Sequence, residues 1–215
     1  MDFSILHYKK PDVIGAYPYE YAREAVNGML KDGRVIGLTK GQFSLIDLIC
    51  ACLEKTGQSK IILSTWAAGL RDAKIMKSLL SSGNVLSFQM LCDRSFSSRH
   101  EKYASAIQDM FGSESIRTTN THAKFVLIQN EDWNLTIKTS MNLNHNPRFE
   151  SFDIDDNKEI YDFFEGHVRE MFEKMPHGFV DSRRIVNPVF DQSLKDQKTS
   201  TDSSEFQNVA KSFSW

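Results

Sequence analysis

Hydrophobic residues occur along the chain in blocks of two kinds. Short continuous apolar runs, such as residues 61–63 and 125–128, are typical of strands that are buried on both faces. Longer blocks with apolar residues three and four positions apart, as in residues 160–172, are typical of amphipathic helices. The two kinds alternate over the first half of the chain, which predicts strand–helix–strand units.

These patterns, with the Gly, Pro and Asn residues that interrupt them, predict individual elements. Helices are predicted at residues 18–30, 44–57, 70–80 and 99–111, and a long one after an N-cap at residues 155–157. Strands are predicted at residues 35–38, 60–66, 85–91, 115–118, 122–129, 134–139 and 149–154. Because later strands follow one another without helices, we expect an α/β fold with a mixed sheet sandwiched between helices.

Two helix boundaries carry specific signals. Ser44, with Asp47 three residues later, forms a weak capping box at the start of the second predicted helix. Asp32-Gly33 follows the first predicted helix and offers a residue that tolerates a positive φ. The first predicted helix is therefore expected to end before these residues.

A change of composition after residue 190 predicts the end of the folded domain, residues 1–190. Residues 191–203 are mostly polar and cannot bury enough surface to stay ordered, so they are expected to be a disordered linker. In residues 204–215, Phe206, Val209, Ala210 and Phe213 have the spacing of a short amphipathic helix that could dock on a protein partner. The alternative is that this segment frays or packs back on its own domain.

Overall composition excludes several classes of protein. The chain has 215 residues, of which 40% are hydrophobic and 25% charged, as in ordinary soluble globular proteins. Its apolar runs are strand-length, far below the roughly 20 residues of a spanning helix, so no membrane role is expected. With 26 Lys and Arg against 28 Asp and Glu, the formal charge is −2, so any phosphate binding must be local.

The cysteines and the start of the chain indicate the compartment. Cys50, Cys52 and Cys92 are odd in number, and we expect buried thiols in a reducing environment rather than a disulfide frame or a zinc site. The first residues, 1–4, lack the basic and apolar regions of a secretory signal. A cytoplasmic location is therefore expected.

Four polar residues on two consecutive predicted strands form the main candidate for chemistry. His122 and Lys124 are two positions apart, so on a strand their side chains share a face. An imidazole can attack phosphorus or donate a proton, and an ammonium neutralises phosphate oxygens. Ser140 and Asn142 end the next strand, where they could donate hydrogen bonds to the same phosphate.

These residues resemble the signature of the phospholipase D superfamily, His-x-Lys, an Asp five residues later, then Gly-Ser-x-Asn. Glu150 matches a downstream acidic residue that helps to position the histidines in that family. The order of predicted elements over about residues 33–175 is also compatible. The chain departs from the pattern at Gln129, in place of the Asp, and at Thr139, in place of the Gly; Asp132 is a candidate substitute for the missing Asp.

The resemblance implies a two-step, metal-independent reaction through a phosphohistidine, with no cofactor. Because the chain has one His-x-Lys, the second histidine must come from another subunit, as in small bacterial nucleases of the superfamily, so a homodimer with the active site at its interface is implied. The expected substrate is DNA or RNA, with His122, Lys124, Asn142 and Glu150 as catalytic residues. A bacterial, prophage or phage origin is also suggested.

Further residues are assigned to substrate binding, each with a simpler alternative. Asn144 and Arg148 are expected to join Ser140 at the substrate, or else form only a polar turn around Pro147. Trp66 could stack on a base or simply pack at a strand end. His122 itself could be a core histidine. The alternative to an enzyme is a catalytically inactive dimer of the same fold that binds nucleic acid or a protein partner, an interpretation that Gln129 and Thr139 favour.

Overall fold

The computed structural model describes residues 22–145 and 147–179, and the backbone of residues 12–16. Its strands are β1 (Asp12–Ala16), β2 (Arg34–Lys40), β3 (Ser59–Thr65), β4 (Val85–Asp93), β5 (Ile116–Thr119), β6 (Phe125–Gln129), β7 (Asn134–Thr139) and β8 (Phe149–Asp156). Its helices are α1 (Ala22–Asn27), α2 (Leu45–Thr56), α3 (Leu70–Ser81), α4 (Ser95–Arg99), α5 (Glu101–Phe111) and α6 (Lys158–Lys174).

The strands form one mixed sheet in the order β1-β2-β8-β7-β6-β3-β4-β5. β1 is parallel to β2, and β3, β4 and β5 are parallel to one another, whereas β8, β7 and β6 pair in antiparallel fashion between these two groups. The carboxyl ends of β2, β3, β4, β5 and β7 therefore lie beside the amino ends of β6 and β8. We call this side of the sheet the upper edge.

Helices cover both faces of the sheet, as the pattern predicts. The larger core joins one face to α1, α2, α3 and α5, and it includes Val126 and Ile128 of β6. The smaller core lies under α6, where Tyr161 and Val168 pack with Phe125 and Leu127 of the same strand. Alternate side chains of β6 thus enter opposite cores, which explains its continuous apolar run.

Several boundary signals have the predicted structure. The Asp47 carboxylate accepts hydrogen bonds from the backbone N–H of Ser44 (2.8 Å) and from its hydroxyl (2.7 Å) at the start of α2. Asp32 has a positive φ of 52° after α1. Asn157 caps α6 by accepting bonds from the N–H groups of Glu159 and Ile160. The hairpin turn between β6 and β7 spans residues 130–133.

Two predictions of helix extent are wrong, and one strand was missed. The first helix ends at Asn27, not at residue 30. Beyond Asn27 the hydrogen bonds are those of turns, in which Met29 N–H donates to Val26 O and Gly33 N–H donates to Leu30 O. The helix predicted at residues 99–111 is divided at His100, whose φ of −141° and ψ of 55° are not helical. β1 was not predicted.

The tail lies outside the described residues. The domain boundary at residue 190, the linker at residues 191–203 and the helix at residues 204–215 therefore remain predictions. Within the part of the chain that the structure covers, no helix is long and apolar enough to cross a membrane. Cys52 and Cys92 are buried and Cys50 is partly buried, and all three are free thiols.

Candidate active site

His122 and Lys124 lie at the upper edge, immediately before β6 rather than on it. The strand predicted at residues 122–129 begins at Phe125 instead. Before Phe125, two hydrogen bonds hold the segment to the neighbouring strands. The Ser64 hydroxyl of β3 donates to Ala123 O (2.9 Å), and Thr139 N–H of β7 donates to Lys124 O (3.1 Å). The segment that carries the imidazole is therefore extended and fixed on both sides.

The His122 and Lys124 side chains lie together, as the spacing predicts. Lys124 Nζ is 3.4 Å from His122 Nδ1 and donates to His122 O at 3.0 Å. Burial lowers the pKa of the Lys124 ammonium, and the nearby Glu150 carboxylate opposes part of that shift. An exposed imidazole thus stands beside a partly buried cation, which is not the setting of a core histidine.

Ser140 and Glu150 form a second unit across β7 and β8. The Ser140 hydroxyl donates to the Glu150 carboxylate and accepts a hydrogen bond from Ser151 N–H at 2.9 Å. In the described part of the chain, no hydrogen bond joins Glu150 to His122. Glu150 acts on the charge of Lys124, and its role in positioning the histidine stays a prediction.

Asn142 links this edge to the end of β3. Its Oδ1 accepts hydrogen bonds from the backbone N–H groups of Trp66 and Ala67, each at 3.2 Å, and from the Thr65 hydroxyl at 3.3 Å. The carboxamide oxygen therefore holds the turn after β3, which leaves the Nδ2 donor for a ligand. The Trp66 indole of that turn lies against His122, with ring centroids 5.8 Å apart.

A small cleft beside Asn142 collects the remaining predicted residues. Asn144, Arg148 and Glu150 line it with Ser44 and Phe43, among others. The loop that carries Arg148 approaches Gly41 so closely that a Cβ there would lie 2.5 Å from Pro147 Cα. Gly41 also has a φ of +81°, so glycine is required there on both grounds.

The edge therefore brings together all eight residues named from the sequence. His122 contacts Lys124, and Ser140 contacts Glu150, whose charge acts on Lys124. Trp66 connects His122 to Asn142 and its cleft. No cluster of three or more His, Cys, Asp or Glu that could hold a metal occurs among the residues described.

Solved structures with a similar arrangement identify this architecture. No protein-family model and no curated protein sequence matches the chain. Nuc from Salmonella typhimurium, a phospholipase D family member, superimposes with a TM-score of 0.53 over 69% of this chain and 99% of its own, at 12% identity. The chain has a phospholipase D-like fold. NucT from Helicobacter pylori is also similar, with a TM-score of 0.47 over 67% of this chain and 99% of its own, at 14% identity.

Within this phospholipase D-like fold, the two departures from the motif have structural counterparts. Gln129 lies at the end of β6 that points away from the upper edge. Asp156 of β8 supplies a carboxylate at this end. It accepts hydrogen bonds from the N–H groups of Asn134 (3.1 Å) and Asp32 (2.8 Å). Asp132 is exposed in the hairpin turn. The Thr139 hydroxyl donates to Ser151 O (2.8 Å) and accepts from Met141 N–H (3.0 Å), so it braces the turn that carries Ser140.

Two residues near the site were missed from the sequence. Arg99 lies over the Trp66 indole, and Asp93 accepts a hydrogen bond from Thr121 N–H (3.3 Å), one residue before His122. Asp93 is the last residue of β4 and Arg99 follows that strand, whose carboxyl end reaches the upper edge. Only the strand order reveals them, since β4 is separated from β6 in the sequence by two helices and β5.

Proposed function

We propose that the protein is a metal-independent phosphodiesterase that cleaves DNA or RNA as a homodimer. The observation that carries this proposal is the contact between His122 and Lys124 at an open edge where the Asn142 Nδ2 group offers an uncharged donor. A nucleophilic or acidic imidazole, a cation and neutral donors are the groups that phosphodiester cleavage requires.

The reaction proceeds in two steps. An unprotonated ring nitrogen of His122 attacks phosphorus, a nitrogen–phosphorus bond forms, and the bond to the leaving oxygen breaks as a second imidazole gives that oxygen its proton. Water then attacks the phosphohistidine while the second imidazole takes a proton from the water, and the nitrogen–phosphorus bond breaks. Lys124 and the Asn142 Nδ2 group stabilise the charge on the non-bridging oxygens in both steps.

Two subunits are needed because the two imidazoles must have different protonation states. The ring that protonates the leaving oxygen must start as the imidazolium, because a neutral imidazole that gave up its remaining proton would become an imidazolate. The attacking ring needs the unprotonated form. We assign the two roles to His122 of each subunit across a twofold axis.

Cleavage assays test the proposal directly. Purified protein is incubated with labelled single- and double-stranded DNA and RNA in excess EDTA, alongside His122→Ala and His167→Ala. His167 is an exposed histidine of α6 that packs against Phe163, so it is the matched control. We expect cleavage by wild type and His167→Ala and none by His122→Ala. Retention of nucleic acid without cleavage by wild type would favour the inactive binding protein instead.

The dimer has its own test. Sizing chromatography is expected to give twice the chain mass. Denaturation at alkaline pH, where the nitrogen–phosphorus bond is stable, is expected to leave label from the substrate on His122. A dimer that contains one wild-type and one His122→Ala subunit should have almost no turnover, because each site uses both rings. A strict monomer with full activity would refute the shared site.

A further inference from the structure

Arg99 has a defined position beside the candidate site. It is the last residue of α4, and the break at His100 directs the chain away, so that the guanidinium lies across the turn after β3. Its Cζ is 3.7 Å from the centre of the Trp66 ring, and its Nη2 donates to Trp66 O at 3.2 Å. Cation–π contact and a hydrogen bond thus hold one side chain on the indole that also contacts His122.

One carboxylate fixes Arg99 and the His122 segment together. Arg99 Nε donates to the Ser95 hydroxyl at 3.1 Å, and Ser95 in turn donates to Asp93 Oδ1. The other oxygen of Asp93 accepts from Thr121 N–H, immediately before His122. Asp93 therefore links the residue that holds the guanidinium to the segment that carries the imidazole.

The charge of Arg99 is not neutralised by a carboxylate in the described part of the chain. Other arginines of the fold, such as Arg23, Arg34 and Arg169, are ion-paired, whereas Arg99 reaches Asp93 only through the Ser95 hydroxyl. A guanidinium has five N–H donors, of which Arg99 uses two within the described residues, so this exposed side chain keeps three for a ligand. A planar cation held in this way suits a phosphate diester.

We propose that Arg99 binds a backbone phosphate of the substrate next to the scissile one, with Trp66 and Ser95 as positioning residues. This inference rests on the proposed nucleic-acid substrate and adds a contact outside the predicted motif. A nucleic-acid strand would then run from the cleft of Asn142 past His122 towards α4. The net charge of −2 makes such a local, unneutralised cation the more important for binding.

Binding measurements test Arg99 separately from cleavage. A fluorescein-labelled single-stranded oligonucleotide is titrated by anisotropy in EDTA at several salt concentrations, with all proteins in a His122→Asn background so that the probe stays intact. Arg99→Gln is expected to weaken binding about tenfold and to lower the slope of log affinity against log salt by about 0.7. Arg169→Gln, on the exposed face of α6, is the control and should bind as the reference does.

Two further variants distinguish a direct contact from a structural one. Arg99→Lys keeps the charge but loses the planar set of guanidinium donors. The slope of log affinity against log salt should therefore stay the same, and the affinity should fall by less than in Arg99→Gln. Ser95→Ala should weaken binding, but not further when Arg99→Gln is already present. Circular dichroism and thermal melting confirm that each variant is folded.

The outcomes separate the two proposals. If the reference protein binds the oligonucleotide and Arg99→Gln binds it equally well with the same salt slope, the assignment of Arg99 is wrong and the nuclease proposal stands. If the reference binds neither single- nor double-stranded DNA or RNA, the nucleic-acid function itself fails, and the role of Arg99 with it.

Discussion

Asn142 allows the structural and chemical roles of one side chain to be separated. Its Oδ1 accepts two backbone N–H groups at 3.2 Å, those of Trp66 and Ala67, while its Nδ2 is proposed to donate to a phosphate oxygen. Asn142→Ala removes both functions. Asn142→Asp keeps an acceptor for the turn but replaces the donor by a second negatively charged oxygen.

The size of each effect follows from these bonds. Loss of the acceptor leaves two backbone donors unsatisfied, at about 1 kcal/mol each, so Asn142→Ala should lower the free energy of unfolding by about 2 kcal/mol. For a chain of this size that corresponds to a fall in Tm of roughly 4–8 °C. Asn142→Asp should change stability by less than about 1 kcal/mol, yet lower kcat about a hundredfold or more because a donor to the transition state is lost.

Urea denaturation and the EDTA cleavage assay measure the two quantities. Asn144→Ala is the stability control, because within the described residues the Asn144 side chain makes no hydrogen bond. Wild-type stability in Asn142→Ala would refute the bracing role of Oδ1. Wild-type turnover in Asn142→Asp would refute the use of Nδ2 as a phosphate donor.

Three further changes test other contacts. The Glu150 carboxylate opposes the lowering of the Lys124 pKa by burial. In Glu150→Gln that pKa should therefore fall further, and the alkaline limb of the pH–rate profile should move to lower pH. Gly37→Ala would place a Cβ 2.2 Å from Phe152 Cζ, so the free energy of unfolding in urea should fall by about 2 kcal/mol or more, and Phe152→Leu should restore part of it. Asp72 is buried, and among the described residues none donates a hydrogen bond to its carboxylate, although Arg71 lies 3.5 Å from it. Burial raises the Asp72 pKa against the opposing effect of Arg71, so the ionised carboxylate destabilises the fold at neutral pH. Asp72→Asn should therefore stabilise the fold by about 1 kcal/mol at neutral pH and lose this advantage below the unfolded Asp pKa of about 3.9, as measured by urea titration at several pH values.

The local part of the architecture was predictable from the sequence. The Ser44 capping box, an N-cap within residues 155–157 and a positive φ within Asp32-Gly33 depend on neighbours in the chain, and they were correct. The break at His100 was not predictable, because the helical spacing of apolar residues continues across it. The contact of Arg99 with the Trp66 ring was not predictable either, because it depends on the pairing of β3 with β4.

In the candidate site, too, contacts between consecutive elements were predictable and contacts between distant segments were not. Residues on consecutive elements, such as His122, Lys124 and Ser140, were found because β6, β7 and β8 are neighbours in sequence and in the sheet. The use of the Asn142 oxygen by the turn after β3 could not be inferred, since it joins groups more than seventy residues apart. Likewise, Asp156 supplies a carboxylate near Gln129 from a strand that carries no such signal.

The two ends of the β6–β7 hairpin have different surroundings. Its open end supports His122 and Ser140, whereas its tip at residues 130–133 is an exposed turn at the opposite side of the sheet. A fluorophore or affinity label attached at Asp132 would therefore report on assembly and nucleic-acid capture from a strand's length away, without obstructing the residues that handle phosphate.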